Sequence, residues 1–116
     1  RDIIMGDFAF YDTWPDFRFP KHLLTINCSF GGSDTLYGGN GDVDIIVGGS
    51  ENDSIYAANN LSSNSSYLDV VFGDHAEIMF YADVSHNLQQ AVTIDAGCND
   101  GSDSITLGPG DDLVSL

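Results

Sequence analysis

The sequence predicts an all-β fold, namely a parallel β-roll (β-solenoid) in which short strands alternate with Gly- and Asp-rich turns. The first observation is a tandem repeat, in which the segments FGGSDTLY, GGNGDVDIIV and GGSENDSIY follow one another from Phe30 to Tyr56. Each segment contains a Gly-rich turn, an aspartate and three residues that favour a strand. Because each strand is so short, we expect the strands to stack in two parallel sheets as a flattened coil.

The second observation is a longer repeat, which predicts an internal duplication of about 68 residues. Four blocks recur in the same order at an offset of 67 to 69 residues. The pairs are DIIMGD (2–7) and DVVFGD (69–74), LTI (24–26) and VTI (92–94), GSDTL (32–36) and GSDSI (101–105), and GNGDVDII (39–46) and GPGDDLV (108–114). We therefore predict a single β-roll domain at 1–116, with repeat copy one at 1–68 and an incomplete copy two at 69–116.

The strand triplets also predict a core and its cover. The apolar residue inside each triplet should point inward, which gives Leu36, Ile46 or Ile45, Ile55, Ile105 and Leu113. Two less regular stretches, 8–22 and 75–90, are richer in aromatic residues. Their alternating aromatic residues, Phe8, Phe10, Tyr11, Phe80 and Tyr81, predict longer strands or excursions that cap or cover the coil.

Charge restricts the partners of the chain. Three Lys and Arg residues stand against 18 acidic residues, which gives a net charge of −15 at pH 7. This charge repels nucleic acid and anionic membrane surfaces, so cations are the expected partners. No apolar run approaches the roughly 20 residues that a membrane-spanning helix needs.

Calcium is the cation that this composition suits best. It takes six to eight oxygen ligands, commonly carboxylates and backbone carbonyls, in a tolerant geometry. Gly-rich turns can bring carbonyls inward and the aspartates supply charge, so we expect folding and calcium binding to be coupled. The alternative is that the aspartates only form turns, without a metal.

These repeats resemble the repeats-in-toxin (RTX) calcium-binding β-roll, whose nonapeptide is G-G-x-G-x-D-x-U-x with U a large apolar residue. The resemblance covers 30–56 and 97–116 well, and 1–7 and 69–74 more weakly. It implies calcium ligands among Asp34, Asp42, Asp44, Asp53, Asp103, Asp111 and Asp112, with backbone carbonyls from Gly39, Gly41, Gly108 and Gly110. Glu51 replaces a repeat glycine, the turn at Gly38 has one extra residue, and Pro109 occupies another turn, so we expect fewer or distorted sites.

The sequence predicts no enzymatic activity. It contains no HExxH, GxSxG or P-loop motif. His22, His75 and His86 lack the spacing of zinc ligands. A catalytic pair could be drawn from so many aspartates only by arbitrary choice.

Several features predict a secreted, extracellular or cell-surface glycoprotein. Four Asn-X-Ser/Thr sequons stand at Asn27, Asn52, Asn60 and Asn64. A chain rich in Asn and Ser can also form sequons by accident, and that alternative stays open. Cys28 and Cys98 permit one disulfide without establishing it.

Three functions follow from these features. The first is a structural subunit or segment of a fibre or surface layer. Copy two stops at Leu116, so the coil has an open strand edge that a second chain, stacked head-to-tail, or adjacent repeats of a longer chain would complete. The second is a calcium-folded secretion module of an exported enzyme or toxin. The third is an adhesion module that holds carbohydrate on Trp14, Tyr11 and Tyr81. We favour the first, with calcium as the structural ion.

Overall fold

A computed structural model describes residues 3–13, 20–26, 30–39, 44–57, 69–80, 88–93, 101–108 and 112–115. All regular structure in these residues is β, so the predicted all-β class is confirmed. The strands are β1 (Ile3–Met5), β2 (Ala9–Thr13), β3 (Pro20–Thr25), β4 (Thr35–Tyr37), β5 (Ile45–Val47), β6 (Ser54–Tyr56), β7 (Val70–Phe72), β8 (Ala76–Phe80), β9 (Leu88–Thr93), β10 (Ser104–Thr106) and β11 (Leu113–Ser115).

The three-residue strands form two parallel sheets. The middle sheet has the order β1-β5-β7-β11, and the outer parallel sheet has the order β10-β6-β4. In the middle sheet Ile46 pairs with Val71, which pairs with Val114. In the outer parallel sheet Leu36 and Ile105 both pair with Ile55.

The longer strands form a third, antiparallel sheet, the hairpin sheet, with the order β2-β3-β8-β9. It consists of two hairpins, β2–β3 and β8–β9, joined by the pairing of β3 with β8. The prediction of a parallel β-roll is therefore corrected: the structure mixes parallel and antiparallel sheets and is not a solenoid. The stretches that the repeat pattern does not cover are long enough to pair with each other, so they do not wind into further turns.

The middle sheet is buried on both faces. One face packs against the hairpin sheet, and its cluster contains Leu23, Ile45, Val47, Val70, Phe72, Ala76, Ile78 and Phe80. The other face packs against the outer parallel sheet through Ile46, Ile55, Ala57 and Val71, with Leu36 and Ile105 at its margin. Burial on two faces explains why β5 and β7 are wholly apolar, IIV and VVF, whereas the strands of the outer parallel sheet alternate.

Two details of the predicted core need correction. Ile45 and Ile46 are not alternatives, since both are buried, each in a different cluster. Leu113 is 47% exposed. In β11 the residue in register with buried Val71 is Val114, so Leu113 lies on the opposite face, near the edge of the middle sheet.

The order of strands is itself periodic. Strands β7 to β11 begin 67, 67, 68, 69 and 68 residues after β1 to β5, respectively. Each pair of corresponding strands also lies in the same sheet. Strand β6 has no such counterpart among the described residues. These positions match the offset of the sequence repeat.

Candidate metal centre

An aspartate stands directly before every strand of the two parallel sheets, and the one before β1, Asp2, lies outside the described residues. In the first ladder these residues are Asp34, Asp53 and Asp103, before β4, β6 and β10. The N–H of Asp34 donates to Oδ1 of Asp53 over 2.8 Å, and the N–H of Asp53 donates to Oδ1 of Asp103 over 2.9 Å. The carboxylates of Asp53 and Asp103 thus each tie their own turn to a turn stacked beside it.

A second ladder runs along the other edge, before β5, β7 and β11. The N–H of Asp44 donates to Oδ1 of Asp69 over 2.9 Å, and the N–H of Asp69 donates to Oδ1 of Asp112 over 3.0 Å. Asp69 is not among the predicted ligands, because no Gly-rich turn precedes it. Its position directly before the apolar triplet VVF was the available signal.

The first ladder carries carboxylate oxygens that no donor satisfies. Oδ2 of Asp34, Asp53 and Asp103 is buried and has no hydrogen-bond partner. The Asp53 residue is only 1% exposed. Burial of a charged oxygen without a partner is unfavourable, so these atoms require either a proton or a cation.

Glycines that follow strands of the middle sheet make room for these oxygens. Oδ2 of Asp53 and the carbonyl oxygen of Gly73 both lie so close to Gly48 that a side chain there would collide with them. At Gly6 the neighbours are Oδ2 of Asp34 and the carbonyl oxygen of Gly48. The first ladder therefore places carboxylate and carbonyl oxygens together at one edge of the parallel sheets, which is the ligand chemistry of calcium.

Asp7 adds a further carboxylate to the same edge. Its two oxygens accept from the N–H groups of Gly32 (3.2 Å) and Ser50 (2.6 Å). Asp74, which occupies the same place in the second DxxxGD block, accepts from the N–H of Gly101 over 3.0 Å. We had not predicted a role for either residue, although both end a block of the long repeat.

Burial and like charge shift the acidities of the ladder residues. Burial raises the pKa of the Asp53 carboxyl from 3.8 to about 6, the hydrogen bond from the N–H of Asp34 opposes the shift, and the negative charges of Asp103, Asp34 and Asp7 add to it. Burial, followed by repulsion from Asp7, also raises the pKa of Asp34. In the second ladder burial raises the pKa of Asp69. Ionised carboxylates in these turns therefore destabilise the metal-free fold.

In a calcium chelator we expect the free energy of unfolding to rise as the pH falls from about 7 to about 4. The folded state takes up a proton at Asp53 near pH 6, whereas an unfolded aspartate does so only near pH 4. Urea unfolding at stepped pH measures this dependence. In saturating calcium the slope should have the opposite sign, because protons displace the ion. If the free energy of unfolding in chelator instead decreases as the pH falls over this range, the raised pKa of Asp53 is wrong.

The second ladder has fewer features of a metal site than the first ladder. Oδ2 of Asp44 lies 3.0 Å from the place that a Cβ on Gly38 would take, next to the carbonyl oxygen of Ala57. This arrangement resembles that of the first ladder. The Asp44 carboxylate and the Ala57 carbonyl lie beside Gly38, as the Asp53 carboxylate and the Gly73 carbonyl lie beside Gly48. The orphaned oxygens, however, are found in the first ladder.

The predicted metal ligands fall into three groups. The structure brings Asp34, Asp53 and Asp103 into one ladder and Asp44 and Asp112 into the other. Gly39 has φ +96°, and a Cβ there would meet nothing within 4 Å. Gly108 stands two residues after the end of β10, as Gly39 stands two residues after the end of β4. The remaining predicted ligands, Asp42, Asp111, Gly41 and Gly110, lie outside the described residues.

No group of three or more His, Cys, Asp and Glu side chains placed to hold a metal ion occurs among the described residues. A calcium site here would therefore combine two carboxylates with backbone carbonyls. Calcium accepts such a mixed set of oxygens.

Most of the predicted glycosylation, disulfide and carbohydrate-binding positions lie outside the described residues. Asn52 is exposed, and its Oδ1 accepts from the N–H of Ser102 over 2.8 Å. Tyr11 is 53% exposed. The predicted sequons at Asn27, Asn60 and Asn64, the cysteines Cys28 and Cys98, and the aromatic residues Trp14 and Tyr81 lie outside the described residues.

A buried polar pair lies near the first ladder. Nε2 of His75 is 3.4 Å from Oγ of Ser50, and the two residues are 2% and 1% exposed. The serine is thus enclosed in the fold, and a substrate has no access to it in this conformation.

The turn before Asp53 contains a strained residue. Glu51 stands where the repeat has glycine, and its φ is +72°. Such a backbone conformation is unfavourable for a residue with a side chain.

We expect Glu51→Gly to raise the free energy of unfolding by about 1 kcal/mol, measured by urea denaturation. Glu51→Gln keeps the strain and removes the charge, so an equal gain from this control would assign the effect to charge.

The described residues contain no helix that is long and apolar enough to cross a membrane. Comparison with protein-family models, with curated proteins and with solved structures finds no match to this chain.

Proposed function

We propose that this chain is a calcium-stabilised, non-enzymatic structural module of an extracellular or cell-surface assembly. The observation that carries the proposal is the pair of buried Oδ2 atoms in Asp34 and Asp53, which have no donor and lie beside glycines and backbone carbonyls. A hard divalent cation satisfies such oxygens without any rearrangement of donors.

Asp53 is the central ligand in this proposal. Its Oδ2 lies with the carbonyl oxygen of Gly73 against Gly48, and like charges surround it. One ion would bind near Asp53 and Asp34 with the carbonyl of Gly48, and another near Asp53 and Asp103 with the carbonyl of Gly73. Bound calcium supplies positive charge that offsets the repulsion within a chain of net charge −15.

The repeats at 30–56 and 97–116 are, in this proposal, RTX-like turns within a fold that also contains two antiparallel hairpins. The strands of the parallel sheets alternate between the outer parallel sheet and the middle sheet in chain order from β4 to β7, and again from β10 to β11. The hairpins β2–β3 and β8–β9 form the separate sheet that packs against one face of the middle sheet. This arrangement supports the resemblance to RTX repeats at 30–56 and 97–116.

The extracellular, glycosylated and assembling character of the module is proposed from its sequence. Exposed Asn52 is compatible with a glycan at that sequon. The open strand edges of the sheets support head-to-tail association with a second copy or with adjacent repeats of a longer chain. The secretion-module alternative draws its support from the family resemblance alone.

One observation favours the adhesion alternative. Tyr37 and Tyr56 stack on the solvent face of the outer parallel sheet, with ring centroids 5.1 Å apart and an interplanar angle of 11°. Tyr37 is 58% exposed, so its free ring face could support a sugar ring. Glycan-array binding that disappears in Tyr37→Ala would favour this alternative, and binding unchanged by that substitution would remove it.

Calcium titration into chelated protein tests the main proposal. We expect circular dichroism to show a gain of β structure, and sedimentation velocity to show compaction, at the same calcium concentration. A chain that is fully folded in chelator and unchanged by calcium would refute the metal part of the proposal. The aspartates would then be turn formers.

A further inference from the structure

Each of the three sheets ends in an open strand on both sides. The strands β1, β2 and β4 form one end, which we call the leading end, and β9, β10 and β11 form the other, the trailing end. Among the described residues, no strand pairs with the outer side of any of these six strands. The internal repeat makes it possible to ask which surface each end would fit.

The repeat has an internal joint, where copy one meets copy two. There β5 pairs with β7 in the middle sheet and β3 pairs with β8 in the hairpin sheet. Strands β11 and β9 of the trailing end are the counterparts of β5 and β3, and β1 and β2 of the leading end are the counterparts of β7 and β8. The trailing end therefore repeats one side of the joint, and the leading end repeats the other.

The leading end has an apolar surface where its counterpart is buried. At the internal joint Phe72, Ala76 and Ile78 are 3%, 1% and 0% exposed. Their counterparts are Met5, Ala9 and Tyr11, which are apolar or aromatic but half-buried or exposed. Tyr11 is on the inner face of the hairpin sheet, since it pairs with buried Leu23, yet it is 53% exposed.

The trailing end has a matching recess. An open cavity of about 280 Å³ is lined by Phe72, Ala91, Val92, Thr93, Leu113 and Ser115. At the internal joint the corresponding strands β5 and β3 contribute Ile45, Val47 and Leu23 to the core cluster that also contains Phe72 and Ile78. At the trailing end no described residue takes the place that Phe72 and Ile78 have beside β5 and β3.

We propose that the trailing end binds the leading end of a second copy of this chain in the register of the internal joint, with Met5 and Tyr11 of the second copy in the recess. This inference rests on the proposed head-to-tail assembly and specifies its surfaces. Transfer of the pairs Ile45–Val70 and Leu24–Glu77 by the repeat offset places Leu113 opposite Ile3 and Val92 opposite Phe10 of the second copy.

The joint is carried by the middle and hairpin sheets. In the outer parallel sheet the internal joint uses β6, which pairs with β10 and has no counterpart in the described part of copy two. Among the described residues, the strands that the proposed joint pairs therefore belong to the middle and hairpin sheets.

Sedimentation velocity in calcium, on protein shown by circular dichroism to be folded, tests the contact. We expect wild-type chains to associate as concentration increases, and Tyr11→Lys to weaken association at least tenfold, because a charge would enter an apolar recess. The matched control is Tyr56→Lys, an exposed tyrosine on the central strand of the outer parallel sheet, which should associate as the wild type does.

A disulfide test checks the register even if Tyr11→Lys disturbs the fold. Val92→Cys combined with Phe10→Cys should give intermolecular disulfides between these positions, identified by mass spectrometry of the linked peptides, because directly opposed residues are within disulfide range. Val92→Cys with Asp12→Cys, two residues out of register, should cross-link far less. Equal cross-linking of both pairs would overturn the register.

The outcomes separate this inference from the calcium proposal. Chains that fold with calcium but stay monomeric at all concentrations would overturn the joint and leave the calcium role intact. Association with the expected cross-link in chelator would support the joint and count against calcium.

Discussion

Asp53→Asn should stabilise the calcium-free protein and abolish most of its stabilisation by calcium. The asparagine Oδ1 still accepts from the N–H of Asp34, while its NH₂ group replaces an oxygen that lies beside the carbonyl of Gly73. A donor thus replaces an orphaned acceptor, which should raise the free energy of unfolding in chelator by about 1 to 3 kcal/mol. In saturating calcium the order should reverse, because the wild type gains a ligand that the variant lacks. Urea unfolding in chelator and in calcium measures both values.

The control for this substitution is Asp12→Asn. Asp12 lies in β2 of the hairpin sheet, where it is near Lys21, and it belongs to neither ladder. Its substitution removes the same unit of negative charge and should leave the calcium response unchanged. If Asp12→Asn and Asp53→Asn stabilise the calcium-free protein equally, the effect is one of net charge and not of the ladder.

Gly48→Ala should destabilise the protein by about 3 kcal/mol or more and abolish calcium binding at the first ladder. The new methyl group would overlap the carbonyl oxygen of Gly73 and the Asp53 carboxylate, and one of the two contacts is backbone. The turn could accept the methyl group only by moving apart from its neighbour. Thermal unfolding with and without calcium, together with isothermal titration calorimetry, measures the two effects.

Two other glycines provide matched controls for Gly48→Ala. A Cβ on Gly32 would meet nothing within 4 Å, so Gly32→Ala should change stability by less than about 0.5 kcal/mol. Gly39 also has open space but has φ +96°, so Gly39→Ala should cost about 1 kcal/mol from backbone strain alone. If Gly48→Ala were as mild as Gly32→Ala, the close packing of carboxylate and carbonyl at this turn would be disproved.

These substitutions bear directly on the proposed function. The hydrogen bonds of the ladders join only protein atoms, so the aspartates have a structural role in either case. Only the second, buried oxygens of the first-ladder carboxylates would call for a proton or a cation such as calcium. The reversal expected for Asp53→Asn is therefore the result that separates a metal centre from a set of turn-forming residues.

The local structure of the chain could be predicted from its sequence. The triplets at 35–37, 45–47 and 54–56 are strands as predicted, because each is a short run of strand-favouring residues between turn-forming Gly and Asp. The irregular stretches contain longer strands, as the alternation of Phe10 and its neighbours predicted. Local propensity and spacing suffice for such predictions, since they depend on residues close together in the chain.

Which strands are neighbours and which side chains are in contact could not be predicted from the sequence. Nothing near Ile45 in the sequence shows that a hairpin 20 to 36 residues before it covers its face of the sheet, so both isoleucines are buried where one was expected. The donors to Asp53 and Asp103 come from turns 19 and 50 residues away. The glycines around the orphaned oxygens, Gly48 and Gly73, follow strands of a different sheet. Such contacts join turns that are far apart in the sequence. A local pattern of residues does not show which distant turns stack on each other.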